Sequence, residues 1–256
     1  MIVETEAVIL HSFNYGDTSK IVTVYSRGYG KIKVVAKGAR NPKTNKFGSS
    51  LELMTHSSIV LYKKEHKDLH LLSKSEIVYP FNRMQDDSEK ILTGLALIEL
   101  VNMVMHDEEE NETIFSLLVE SLETIDQSTK NGANVLLGFF VKMFRQFGFG
   151  LSLDSCSECG RKSADNEFQF VQLQLSDGKF VCSFCSKNQT SSGVKLSGGI
   201  VKTLLYLQEN PVGKSIQLSI PTSMRDELFA TMQLYLRYHI ETVRTLKSLS
   251  MLYSMK

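Results

Sequence analysis

The stretch KIVTVYSRGYGKIKVVAKGAR, residues 20–40, decides the fold. It holds two runs rich in β-branched residues, IVTVYS and KIKVVA, parted by RGYG, whose two glycines suit a tight turn. In the second run Ile32, Val34 and Ala36 alternate with Lys31, Lys33 and, further on, Lys37. One face of that strand is therefore apolar and its reverse cationic. Working outward, similar runs predict strands at residues 7–13, 20–26, 31–37, 58–62 and 69–78, with a further turn at 14–17. Five short strands in so few residues fit a barrel of the OB type, although SH3-like barrels have a similar strand count.

After Pro80 the hydrophobic period changes. Ile91, Leu92, Leu95, Ile98, Val101 and Met105 recur at spacings of one, three and four, which is an amphipathic helix opening on Asp86, Asp87 and Glu89. Helices are also predicted at 112–125, 133–147, 199–208 and 223–243, with the acidic run at 107–110 as a solvated connector. The fold expected is α+β: an N-terminal five-stranded OB-fold barrel at 1–80, then an all-helical domain at 81–256, interrupted at 156–190 by a four-cysteine zinc-ribbon hairpin.

With 256 residues, 42% of them hydrophobic, the chain has material for a sizeable core. It has no run of roughly 20 apolar residues for a membrane span, and acids stand where a secretory leader would carry lysines. A cytoplasmic, nucleoid-associated protein is expected. Its net charge of +1 hides an uneven distribution. Residues 1–80 carry 12 Lys/Arg against 7 Asp/Glu, and residues 81–155 carry 5 against 13. A basic head of that kind suits a polyanionic partner.

All four cysteines fall in Cys156-Ser-Glu-Cys159 and, 22 residues later, Cys182-Ser-Phe-Cys185. Two ligands two residues apart can wrap one tetrahedral ion, Gly160 can relieve the first turn, and a hairpin around Asp177-Gly178 can bring up the second pair. Four thiolates leave no open position, so one structural Zn2+ per chain is expected. A redox-active dithiol and four unligated thiols are the competing readings.

Residues 20–46 carry Lys20, Arg27, Lys31, Lys33, Lys37, Arg40, Lys43 and Lys46 and no acid, with Tyr25 and Tyr29 among them. Cations along a groove release counterions from phosphates, and nearby aromatics stack bases without reading sequence, so this stretch is the candidate single-strand DNA site. A solvated charged face and a sequence-tolerant RNA-binding barrel are the alternatives. No phosphate-cradling loop ends in Gly-Lys-Ser/Thr, so nucleotide use is not expected. His66 and His70 fall in a predicted turn and strand, which makes a metal pair there improbable, and the acidic run offers no two-metal geometry. The chain reads as a non-enzyme.

The order VILHS at 8–12, DTS at 17–19 and GKIKVVAKGAR at 30–40 resembles the N-terminal signature of the bacterial RecO family of DNA repair proteins. The likeness runs on through FGFG at 147–150, the cysteine pairs, Tyr238-His239 and TLKSL at 245–249, and so covers essentially the whole chain. The family's usual glycine-proline stretch before the last motif is replaced by ETVRT at 241–245, which makes a role for that tail less secure. The resemblance implies an OB-fold domain, a helical domain and a zinc finger. It also implies a recombination mediator that binds single-stranded DNA, with duplex DNA left open, and anneals strands coated by single-strand-binding protein. RecR is implied as the partner in loading RecA. The C-terminal tail of single-strand-binding protein is acidic and hydrophobic, which needs an apolar groove flanked by cations. Phe139, Lys142, Phe144 and Arg145 supply those residue types, although their helical spacing also fits a core face.

Overall fold

The computed structural model describes residues 1–41, 43, 46–64, 67–163, 168, 170–186 and 193–254. The chain forms two compact units, residues 1–127 with 246–256, and residues 128–245.

The first unit is built on a closed barrel of β1 (Ile2–Tyr15), β2 (Ser19–Ser26), β3 (Gly30–Ala36), β4 (His56–Tyr62) and β5 (Leu69–Tyr79), in the order β1-β2-β3-β5-β4. β1 closes on β4, β3 runs parallel to β5, and the other pairs are antiparallel. This is the expected OB architecture. Alternation places Val3, Ala7, Ile9, Val22, Val24, Ile32, Val34, Ile59, Leu61 and Leu72 inside, with Phe47 and Leu51 joining the same core. Bulges between Ile9 and His11, and at two points where β4 meets β5, break the regular pairing and bend the strands around the barrel.

Among the described residues, three α-helices complete this unit. α1 (Ser88–Val104) starts where the Asp87 carboxylate accepts from the Glu89 and Lys90 amides. α2 (Glu112–Gln127) follows, and the short α6 (Lys247–Ser254), which the sequence pattern did not suggest, packs on α1. The Glu99 carboxylate accepts from the first two amides of α6, fastening the C-terminal segment to α1.

The second unit contains α3 (Asn134–Gln146), α4 (Gly198–Glu209), a 3-10 segment (Val212–Gln217) and α5 (Thr222–His239). Phe140, Phe144, Phe149, Tyr235 and His239 form a contiguous ring cluster, with the Tyr235 hydroxyl donating to the Phe149 carbonyl. The expected two-stranded hairpin is the centre of a larger sheet. β7 (Phe170–Leu173) and β8 (Lys179–Cys182) are joined by β6 (Ser152–Cys156) and β9 (Val194–Ser197) in the order β6-β8-β7-β9. The flanking strands are short and lack a clear alternation, which is why pattern alone does not mark them. Among the described residues, no helix is long and apolar enough to cross a membrane.

Candidate metal centre and nucleic-acid interface

The four cysteine sulfurs lie within 4.8 Å of one another. Cys156 closes β6 and Cys182 closes β8, strands that pair side by side, so the sheet itself brings the two motifs together. The first knuckle is tightened by the Gly160 amide donating to the Cys156 carbonyl, with Gly160 at φ +71°. The Cys182 amide donates to the Cys156 sulfur at 3.3 Å, and the sulfurs of Cys159 and Cys182 are 3.8 Å apart. A tetrahedron with metal–sulfur bonds of about 2.3 Å has edges of about 3.8 Å. Burial raises the Cys156 thiol, but amide hydrogen bonds from Cys182, Cys159 and Glu158 outweigh it and bring the group down to about 7. Hydrogen bonds with Cys182 and Cys159 push Cys185 the other way, up to about 12. Thiols this close resist ionising together unless a cation lies among them, so the donor set fits a metal ion.

The candidate DNA residues do not form one uniform face. Arg27, Lys31 and Lys33 are met by the acidic segment 107–112, which lies along the barrel as a strap and does not stand free as a solvated connector. Asp107 sits 3.4 Å from Lys31 and 3.2 Å from Lys33, and Glu112 sits 3.0 Å from Arg27, which also holds Glu6 at 2.9 Å. The Lys31 ammonium donates to the Asn102 carbonyl, and the Glu108 amide to the Lys31 carbonyl. Gly30, at φ +61°, has the Glu109 backbone packed where a Cβ would stand. Charge complementarity between the basic β3 and the acidic run is what holds the strap down.

The strap end of the barrel also takes Tyr25 out of contention for stacking. Tyr25 is fully buried against Phe115, its hydroxyl donates to the Asn111 carbonyl, and burial followed by the charge of Glu109 raises its pKa strongly. Tyr29 packs on the barrel core with the Lys63 ammonium 5.8 Å from its ring centroid. Lys20 is paired with Glu52 at 3.3 Å. The remaining cations are the open ones. Lys37, Arg40 and Lys43 are exposed, and so is Lys46. Among the described residues none of these four has an acidic partner within ion-pair distance. Arg40 donates to the Gly16 carbonyl and Lys46 to the Ser73 carbonyl, contacts that hold each in place without neutralising it. Pro42, Thr44 and Asn45 of this loop, and His66, lie outside the described residues.

Exposed rings that the sequence pattern did not mark lie on the outside of β1. Phe13 is 48% exposed and Tyr15 53%, beside exposed His11. In the second unit, Phe139 and Phe144 are fully buried, so they line no groove for a partner's tail; Lys142 is half-buried and Arg145 exposed.

Two buried histidines tie the strap and α2 to the barrel. His56 lies 3.1 Å from Glu6 and edge-on to Phe115, and His70 lies 3.5 Å from Glu108. Burial, more than any charge, lowers both pKa values. For His56 the charge of Arg27 acts in the same direction, against Glu6 and Glu123; for His70, Lys63 does so against Glu108 and Asp68. The unfolded chain therefore takes up protons near pH 6.5 that the folded unit resists. Stability of the first unit is expected to be flat above about pH 7 and to fall from there toward pH 5. Urea midpoints at pH 7.5 and 5.5 check this; an equal midpoint at both would count against the two histidines being held neutral.

Comparison with known proteins agrees with this geometry over its full length. The model for the recombination protein O N-terminal region matches residues 1–81, and that for its C-terminal region matches residues 85–250. The DNA repair protein RecO of Chloroherpeton thalassium is 28% identical over 97% of this chain and 96% of its own length. That of Desulfatibacillum aliphaticivorans is 31% identical over 96% and 97%, and that of Acetivibrio thermocellus 25% over 93% and 92%. With a closed barrel under the first model, helices and a thiol-lined sheet under the second, and whole-length relatives across both, the chain belongs to the RecO family of DNA repair proteins.

Proposed function

We propose that this protein is a non-enzymatic recombination mediator of the cytoplasm: it binds single-stranded DNA, anneals complementary strands coated by single-strand-binding protein, and works with RecR to help load RecA. The observation that carries the DNA-binding step is the group of open cations that follows β3, Lys37, Arg40, Lys43 and Lys46, which have no acid within ion-pair distance among the described residues, Arg40 and Lys46 being held by carbonyls. Phosphates can replace water around such groups without first breaking an ion pair, whereas Arg27, Lys31 and Lys33 would have to exchange a carboxylate for a phosphate. The cysteine cluster holds one structural Zn2+ in this reading, and it takes no part in bond chemistry.

The test is annealing of complementary oligonucleotides, each coated by single-strand-binding protein, without ATP. Wild type is expected to anneal them. The variant with Lys37, Arg40, Lys43 and Lys46 all changed to Ala should bind bare single strands on the order of ten- to a hundredfold more weakly at low salt. Its log–log salt slope should be shallower by about 3, since each lost phosphate contact removes roughly 0.7. Arg27→Ala should lower affinity much less. Equal affinity for wild type and the fourfold variant would sink this placement of the site.

A further inference from the structure

The strap carries five acids in six residues, from Asp107 to Glu112. It is a short line of closely spaced negative charge laid on a basic strand, the arrangement a polyanion itself would make. On β3, Ile32, Val34 and Ala36 point into the barrel core, so Lys31 and Lys33 share the outer face, in a row that continues toward Lys37 just past the strand's end. Residues 31 and 107 pair as in a parallel ladder. Asp107 thereby takes two cations of the row and Glu112 takes Arg27, while the cations from Lys37 to Lys46 stand open.

The middle of the strap is held lightly. Its ion pairs join partly exposed groups, where such pairs add little stability. Glu108 stands at φ +59°, a left-handed conformation that a residue with a side chain adopts only at a cost. A cleft of about 380 Å³ lies between barrel and strap, lined by Met1, Gly28, Tyr29, Lys63, Glu108 and Glu110, so this segment is not packed down along its length. Its far end is firmer. The Asn111 carbonyl takes the Tyr25 hydroxyl, and the Asn111 side chain caps α2 by accepting from the Ile114 amide. Residues 106–110 can therefore lift without unwinding the helix that follows.

We infer that the strap is an autoinhibitory gate: an internal polyanion that withholds Arg27, Lys31 and Lys33 from phosphates until a strand already gripped by the open loop displaces it. This goes beyond the mediator reading and rests on it. Displacement exchanges a carboxylate for a phosphate at each cation, so no charge is left bare at any stage. A strand tethered at Lys37 to Lys46 presents its next phosphates to β3 at high local concentration, and so it can compete with a strap that is itself tethered. The strained turn at Glu108 relaxes as the strap lifts. Two grades of grip follow, a first one on the open loop and a fuller one once the gate has moved.

The test uses the full chain and an oligothymidylate. Asp107→Asn combined with Glu112→Gln is expected to bind it about tenfold more tightly than wild type at low salt. The log–log salt slope should steepen by about 1.4, roughly 0.7 for each of Lys31 and Lys33 set free. The control is Asp86→Asn with Glu120→Gln, which removes two exposed acids that make no ion pair among the described residues; it should gain much less. Gly30→Asn keeps every charge and suits the left-handed turn, but its Cβ meets the Glu109 backbone and should lift the strap, so it too should bind more tightly. In wild type the Glu108 amide, which donates to the Lys31 carbonyl, should lose hydrogen-exchange protection on saturation with the oligonucleotide, while β1 to β5 keep theirs. Protection that persists at Glu108 in the saturated complex, or strap variants that bind no more tightly than wild type, would overturn the gate and leave the mediator reading standing. An equal gain in the control pair would also overturn it, assigning the effect to net charge. Absence of single-strand binding by wild type and by both strap variants would overturn both.

Discussion

Phe144→Ala is expected to destabilise the unit of residues 128–245 by about 3–5 kcal/mol, the usual cost of emptying a buried aromatic site. Phe144 has no exposed surface and packs against Phe140, Phe149 and Tyr235 at ring-centroid distances of 5.8, 5.4 and 5.1 Å. Tyr235 is itself fixed by its hydroxyl on the Phe149 carbonyl, and His239 stacks on Phe149 at 4.5 Å, so the rings cannot readily collapse into the space left behind. The adjacent Arg145 is exposed, and Arg145→Ala should fall within about 0.5 kcal/mol of wild type. Chemical denaturation of the two variants separates a core role from a docking role. A Phe144→Ala protein that unfolds at the wild-type midpoint yet loses affinity for an acidic, hydrophobic peptide would restore this helix as a groove.

The same contrast shows which features a sequence can carry and which it cannot. β3 was legible because Lys31 and Lys33 alternate with Ile32 and Val34, and a strand's two faces follow directly from that alternation. The cysteines were legible because their spacing is itself the chelate geometry. Phe13 was not legible, and the reason is the bulge at Ile9/His11. Ile9 points inward, opposite Val24, and strict alternation from it would send residue 13 inward as well; the extra residue reverses the phase, so Ser12 faces Val22 inside and Phe13 faces out. Tyr25 failed for a different reason. It does lie on the outer face, but Phe115 and Asn111, far along the chain, cover it. The strap was hidden in the same way: Asp107 and Lys33 are 74 residues apart, so an acidic run reads as solvated until the register of β3 is known.

If the proposed zinc site is right, Cys182→Ser loses the metal and unfolds the sheet of β6 to β9 while leaving the barrel intact. Cys182 is fully buried and Cys156 nearly so, and the amide of Cys182 also braces the sulfur of Cys156, so this one residue supports both knuckles. The sheet around them consists of four strands of four or five residues each, too short to stand without help. In small domains of that kind the metal is the main source of folding free energy, about 10–16 kcal/mol in isolated zinc-finger peptides near neutral pH. Wild-type protein should contain one zinc per chain by elemental analysis, and strong chelators should remove hydrogen-exchange protection from β6 to β9 but not from β1 to β5. Because the thiols must lose protons to bind, zinc affinity should fall as the pH is lowered, and most steeply below about pH 7, where Cys156, the thiol held lowest in the absence of a cation, is protonated as well. Cys159→Ser, at an exposed position, should lose metal with less disruption of the sheet than Cys182→Ser. A Cys182→Ser protein that keeps one tightly held zinc and full protection of β8 would show that the cluster is not the metal site, and a dithiol role for the two pairs would then have to be tested.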